Sequence, residues 1–338
     1  MPLAGLPTSA DVFSSEHRRA TRVDAPPSPP PIVFDVIPLG VGSAIPTRTR
    51  HLAGALVRRE GRSVLFDCGE GTQLQLVRGG LTRGPLDAIC ITHLHGDHLY
   101  GLPGLVTTLA LLERTDPLTI VGPEGLQDVM RAMPGLKNDW LPFDVTYREL
   151  AEDFEHEVVF EDDHVTVEAR PIEHRVFCAG FRYQEKTRPG SVDADAARAA
   201  GITEGWQFEA LKRREAVPLG DGTVVEPDGL VGPPRPGGAF AYVLDTTPCE
   251  NGRLLSRDAD LVLHEATFTE EHGGRAADVG HSTARQAAEV ARDAGAEMLL
   301  LTHFSARYAD PAPLVAEARQ VFPNTQAAEE LRRYEVRR

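Results

Sequence analysis

An α/β fold is what the sequence predicts, on three observations. From residue 32 onward, short apolar runs of strand length alternate with stretches whose apolar residues recur at helical spacing. The 338 residues, 41% hydrophobic and 25% charged, suit a globular protein with an ample core. One apolar run, residues 86–91, reads as a buried strand and leads directly into a cluster of histidines and an aspartate.

Taken in order, residues 1–31 end in Pro26-Pro27-Ser28-Pro29-Pro30-Pro31 and read as a disordered proline-rich extension. They lack the apolar segment of a signal peptide, and no stretch of the chain approaches the roughly 20 apolar residues that span a bilayer. The region from 32 to 338 is expected to form one domain. Strands are predicted at 32–39, 53–57, 64–66 and 86–91, with helices at 71–77, 104–112 and 124–133. The theme repeats with strands near 143–147, 165–169, 240–244, 261–264 and 298–302, and helices at 284–294 and 311–321. A polar stretch rich in glycine and proline, about 185–236, interrupts the second half. Cys68, Cys90, Cys178 and Cys249 lack CxxC spacing, so reduced thiols and a cytoplasmic location are expected. The net charge of −15 argues against indiscriminate nucleic-acid binding.

The chemistry concentrates in Thr92-His93-Leu94-His95-Gly96-Asp97-His98. His93 and His95 are two apart, so an extended backbone points both imidazoles to one side. Gly96 allows a sharp turn, after which Asp97 and His98 swing back as a second pair. Nitrogen and oxygen donors so arranged can cage two cations, zinc suiting them best and manganese or iron less well. A polar loop with coincidental histidines is the competing reading; a chance cluster this dense is rare.

His-x-His-x-Asp-His is the signature of the metallo-β-lactamase superfamily, and the string from Thr92 to Leu105 resembles the ribonuclease Z family within it. The resemblance covers about residues 33–310. It implies an αββα sandwich of two mixed sheets with a flexible arm inserted at about 185–236, and two zinc ions per subunit, manganese or another divalent ion being the alternatives. His174, in Pro171-Ile172-Glu173-His174-Arg175, matches the family's third ligand segment, and His303, in Leu301-Thr302-His303-Phe304, matches the last. Asp245 ends a strand where an aspartate would bridge both ions. The implied set is His93, His95 and His174 on one zinc, Asp97, His98 and His303 on the other, and Asp245 between them. The family's proton acceptor matches Asp97. Asp67, after the strand at 64–66, matches a superfamily aspartate that hydrogen-bonds the ligand loop; capping the next helix is its other expected role.

His264-Glu265-Ala266-Thr267 and Gly280-His281-Ser282-Thr283 also match ribonuclease Z. They imply that His281, opening a helix, protonates a leaving oxygen while Glu265 orients it. Thr47-Arg48-Thr49-Arg50-His51 corresponds to the family's Pro-x-Lys-x-Arg-Asn loop, with Arg48 and Arg50 able to grip successive phosphates and His51 replacing the asparagine. Arg307, in Ser305-Ala306-Arg307-Tyr308, is a further candidate for phosphate contact, an ordinary surface arginine being the other reading. In the arm, Lys212, Arg213 and Arg214 lie near Trp206 and Phe208, aromatics that either stack on RNA or close an apolar patch. His17, His156, His164 and His272 are expected on the surface.

The activity implied is zinc-dependent endoribonuclease action on precursor tRNA, removing the 3′ trailer by phosphodiester hydrolysis and leaving a 3′-hydroxyl. A homodimer is implied by the family. A second reading is a phosphodiesterase or arylsulfatase-like hydrolase of the same fold acting on a small substrate. A third, of another class, is a non-catalytic RNA-binding protein, against which the full ligand set speaks.

Overall fold

The first strand runs from Ile32 to Gly40, and its residues from Val33 onward are mostly buried, on both faces, a two-sided burial that organises the first half of the chain. The computed structural model describes residues 32–136 and 140–338, so the extension expected at 1–31 lies outside the described residues. The first half contains β1 (Ile32–Gly40), β2 (Gly54–Arg59), β3 (Arg62–Phe66), α1 (Thr72–Arg78), β4 (Leu86–Cys90), α2 (Gly96–Leu99), α3 (Leu102–Leu111), β5 (Leu118–Pro123), α4 (Leu126–Ala132) and β6 (Val145–Leu150). Alternation sorts the side chains. Val36, Val57, Phe66, Ala88, Cys90 and Val121 face a core between two sheets, whereas Ile37, Leu56, Leu65, Ile89 and Ile120 face α1, α3 and α4.

The second half contains β7 (Glu157–Glu161), β8 (Val165–Ile172), β9 (Cys178–Glu185), α5 (Ala194–Ala199), α6 (Gly205–Lys212), β10 (Val217–Pro218), β11 (Val224–Val225), β12 (Ala239–Val243), α7 (Glu250–Ser256), β13 (Leu261–Glu265), α8 (Gly273–Val279), α9 (Ala284–Asp293), β14 (Leu299–Thr302), α10 (Ala312–Arg319), β15 (Thr325–Ala327) and β16 (Tyr334–Arg337). The strands form two seven-stranded sheets, ordered β16-β1-β2-β3-β4-β5-β6 and β15-β14-β13-β12-β9-β8-β7. Small residues on α9 (Ala284, Ala287, Ala288, Ala291) let it pack closely on the outer face of the second sheet. The layers are therefore helix, sheet, sheet, helix, an αββα sandwich.

Several elements escaped the sequence reading, among them β5, β7, β9, α7, α8 and β16. The strand expected at 143–147 is β6, Val145–Leu150. The segment about 185–236 contains α5, α6 and the β10–β11 hairpin around its own small core of Ala197, Ile202, Leu211, Val217 and Val231.

Close backbone contact fixes the loops beside β3 and β4. A Cβ on Gly69 would sit 1.9 Å from the Asp97 carbonyl oxygen, and one on Gly101 would sit 2.0 Å from that of Gly69. Neither neighbour is a side chain that can swing away. Gly69→Ala is therefore expected to destabilise the fold by about 1–3 kcal/mol, read as a lower midpoint in chemical denaturation; an unchanged midpoint would mean these loops can separate freely.

Candidate metal centre

The corner after β4 begins with His93, fully buried, whose Nε2 lies 2.8 Å from His95 Nδ1. Two ring nitrogens therefore face one point. The chain then turns into the single-turn α2, which carries Asp97 and His98 back beside them. Asp67, immediately after β3, supports this corner. Its Oδ1 accepts from the Thr92 backbone N–H at 2.8 Å, and its Oδ2 accepts from His98 Nδ1 at 2.7 Å and from the Tyr242 hydroxyl at 3.0 Å. It does not cap α1, whose N-terminus begins at Gly71 without a side-chain cap.

The second sheet supplies the remaining donors from its own strand ends. Asp245 follows β12, His303 follows β14 and His174 follows β8. The Asp245 carboxylate lies 3.0 Å from His303 Nε2, 3.6 Å from His98 Nε2 and 3.7 Å from His93 Nε2. Asp67, Asp245 and His303 all adopt left-handed backbone conformations, with φ of 58°, 52° and 56°. Such corners cost of order 1–3 kcal/mol each and gather at functional sites.

Every outer ring nitrogen of the buried histidines is committed. His93 Nδ1 donates to Thr92 Oγ1 at 3.0 Å, His174 Nδ1 to the Gly280 carbonyl at 2.8 Å, and His303 Nδ1 to Thr267 Oγ1 at 2.9 Å. The inner atoms are not. His98 Nε2, His174 Nε2, His303 Nε2 and Asp245 Oδ1 are buried with no hydrogen-bond partner among the described residues. Buried polar atoms of this kind are the ones a bound cation would satisfy. Three overlapping donor groups result among the described residues, His93–His95–His174–Asp245, Asp97–His98–His303 and Asp245–His281–His303, each with its ligand atoms within 4.8 Å of one another. Borderline nitrogen and hard carboxylate oxygen suit a divalent cation, and the residues fit one.

Electrostatics agree. Burial would raise the Asp245 carboxyl, but His303, His98 and His93 hold it below the usual carboxylate range. Burial likewise opposes Asp97, which His303 and His98 keep ionised. Burial also depresses His98, yet Asp245 and Asp67 raise it well above the ordinary imidazole value. The two carboxylates thus demand positive charge at the centre of the cluster.

A second hub adjoins it. Glu265 is fully buried at the end of β13; its Oε1 accepts from the Thr246 backbone N–H at 2.7 Å and from His281 Nδ1 at 2.9 Å, and its Oε2 accepts from Thr267 Oγ1 at 2.6 Å. His281 does not open α9 as the sequence suggests; Thr283 caps that helix, and His281 lies in the link between it and α8. Its ring stands 5.4 Å from that of His303 and 5.2 Å from that of His174. Burial lowers the imidazole, but Glu265 overrides this and raises it to about 9.

The arginines divide. Arg48 is exposed, whereas Arg50 is buried and donates to the Tyr308 and Ala309 carbonyls at 2.7 and 3.0 Å, with its guanidinium over Phe304. Arg50 thus ties two loops together, and the paired phosphate grip expected of Arg48 and Arg50 is not what the structure presents. His51, in the asparagine position, pairs with Glu330 at 2.7 Å. Arg307 is exposed over Phe268, whose ring lies 6.3 Å from that of His281. On the arm, Lys212 pairs with Glu209, Arg213 with Glu215 and Arg214 with Asp228, so the basic run is neutralised locally. Phe208 packs on the arm's core, while Trp206 is exposed. His156 and His164 are exposed, but His272 is half-buried against Tyr308 and Phe268. Sequence reading missed Tyr242 and Thr267, buried residues whose hydroxyls reach site residues distant in the chain; no local pattern marks them.

Residues 34–167 match the family described as anti-Pycsar protein Apyc1, and residues 205–304 match the β-lactamase superfamily domain. Ribonuclease Z of Salinibacter ruber is 53% identical over 304 residues, covering 90% of this chain and 94% of its own. Ribonuclease Z of Bacillus licheniformis is 40% identical over 310 residues, covering 90% and 100%. The crystal structure of the short form of human tRNase Z aligns with a TM-score of 0.64 at 30% identity, over 89% of this chain and 98% of that one. Sandwich, strand-end donors and superfamily match together define a metal-binding protein of the metallo-β-lactamase fold. Within that class, the chain belongs to the ribonuclease Z family.

The His281–Glu265 pair has a measurable consequence in metal-free protein. Its contribution to stability is fully present below the unfolded imidazole value of about 6.5 and is lost as pH rises through about 9. NMR titration should find His281 well above the ordinary histidine value, and Glu265→Gln should lower it markedly, because the main influence opposing burial is then removed and only Asp245 still raises it. An unshifted His281 in the variant would mean that Glu265 is not the source.

Proposed function

We propose that this chain is a zinc-dependent endoribonuclease that removes the 3′ trailer from precursor tRNA by hydrolysing one phosphodiester bond, leaving a 3′-hydroxyl on the tRNA. Family membership supports the activity. The carrying observation is the meeting of two inward-facing donor groups with the His281–Glu265 pair at one cluster of strand ends.

His93, His95 and His174 would hold one zinc ion, Asp97, His98 and His303 a second, and Asp245 would lie between them, with Asp67 fixing His98 through its outer nitrogen. Bound there, such ions would supply positive charge that activates an attacking water and offsets the charge of the phosphate. Asp97 is assigned the proton of the attacking water. Its Oδ2 is held by the Ala44 backbone N–H at 3.0 Å, which aims the carboxylate inward. His281 is assigned the proton delivered to the leaving 3′-oxygen. Glu265 holds Nδ1, so Nε2 is the atom that donates. Arg48 and Arg307, exposed beside the cluster, are the phosphate contacts this reading favours; Arg50 would act by bracing the loop that bears Arg48.

Residues 32–338 form the catalytic domain in this reading, and about 185–236 the arm that docks RNA, with exposed Trp206 better suited to contact than the paired Lys212, Arg213 and Arg214. A homodimer is supported by exposed apolar side chains on α1 (Leu74, Val77), on α3 (Leu111) and just before α3 (Tyr100), each between 58% and 69% exposed. Among the described residues no helix is long and apolar enough to cross a membrane. All four cysteines are free thiols, which favours the cytoplasm as the compartment.

Purified protein given a precursor tRNA with a 3′ trailer should release the trailer as one fragment. His281→Ala should lower kcat by roughly two to four orders of magnitude while metal content holds. Loss of metal in that variant would make His281 a ligand, an outcome its grouping with Asp245 and His303 makes a real test. Intact RNA with wild-type protein that still hydrolyses a small aryl phosphodiester would favour the small-substrate reading.

A further inference from the structure

We propose that the groove beside His174 holds the base of the nucleotide whose 3′-oxygen leaves, and that it selects bases carrying an exocyclic amino group. The inference rests on the trailer-removal reading above and adds a specificity site to it. The groove has a volume of about 820 Å³ and shares a wall with the metal centre, since His174 and Gly280 line both. His174 donates to the Gly280 carbonyl at 2.8 Å, and its ring stands 5.2 Å from that of His281. His281 therefore adjoins the wall that the groove shares with the centre, and a nucleotide whose oxygen takes its proton can set its base in that groove.

The lining suits a base and not a phosphate. One wall is apolar, formed by Val176, Phe177 and Ala277, with Phe177 backed by Phe154 at a ring separation of 5.7 Å. Val176 is 43% exposed, an apolar surface left open at the mouth of a catalytic cleft. Single-stranded bases seek walls of this kind. The rim carries two carboxylates, Glu152 and Glu173, against one guanidinium, Arg175. Two negative charges to one positive repel a phosphate but accept hydrogen bonds from an amino group. The Thr247 hydroxyl donates to Glu173 Oε2 at 3.2 Å, leaving the second oxygen to accept. Adenine, cytosine and guanine offer an exocyclic amino group; uracil does not. Neither carboxylate belongs to the donor groups of the metal centre.

The test uses four precursor tRNAs that differ only in the last nucleotide of the tRNA body. Wild-type protein should process the uridine form with kcat/KM about tenfold below the adenosine form, the scale of one hydrogen bond to a charged group. The double variant Glu152→Gln, Glu173→Gln should narrow that difference to within about threefold, because a carboxamide also donates to uracil carbonyls. Both positions are exposed, so folding is not at stake. Equal kcat/KM on all four RNAs with wild-type protein, or the wild-type ratio persisting in the double variant, would overturn the groove assignment and leave the ribonuclease reading standing. Failure of wild-type protein to cut any of the four would overturn the ribonuclease reading itself, and the groove assignment with it.

Discussion

The structure depends on one buried carboxylate. Asp245 is almost fully enclosed, with imidazole nitrogens from both sheets within 4.0 Å. A buried anion is tolerable only when positive charge and hydrogen-bond donors surround it. In metal-free protein that charge falls to protonated His98 and His281; a cation on the inward-facing nitrogens would supply it more completely. The remaining polar architecture follows from aiming those nitrogens. Thr92, Asp67, Thr267 and Gly280 each occupy the outer nitrogen of one histidine, leaving the inner lone pair as the only free donor.

Topology explains why donors from opposite halves of the chain meet. Each sheet runs through three antiparallel pairings followed by three parallel ones: β16-β1-β2-β3 then β4, β5 and β6, and β7-β8-β9-β12 then β13, β14 and β15. Parallel strands all end at one edge, where ligand sites of α/β sheets form. Asp67, the His93–His98 corner, Asp245, Glu265 and His303 all lie at the ends of strands that take part in parallel pairing. The same device recurs in both halves: a strand stops and the next acidic or imidazole residue turns left-handed. Tyr242 then stitches the sheets together, reaching from β12 to Asp67 after β3.

What could be read beforehand depended on how local the signal was. The His93–His98 corner carries its donors within six residues, and its spacing alone implied their convergence. His174, Asp245 and His303 are single residues at strand ends, intelligible only against a family pattern. Strand β16 and helix α7 carry weak periodicity and owe their form to packing. Arg50 was misread because its partners lie 258 and 259 residues away, and a side chain that looks free in sequence is spent on two carbonyls in the fold. The arm's basic run is paired for a nearer reason: Glu209 and Glu215 lie within three residues of Lys212 and Arg213.

Diffraction from zinc-loaded crystals, with anomalous differences recorded on either side of the zinc absorption edge, measures the central claim most directly. The account predicts two peaks about 3.5–4 Å apart, one among His93, His95 and His174, the other among Asp97, His98 and His303, with the Asp245 carboxylate between them. A single peak, or a second peak away from the Asp97–His98–His303 group, would contradict it.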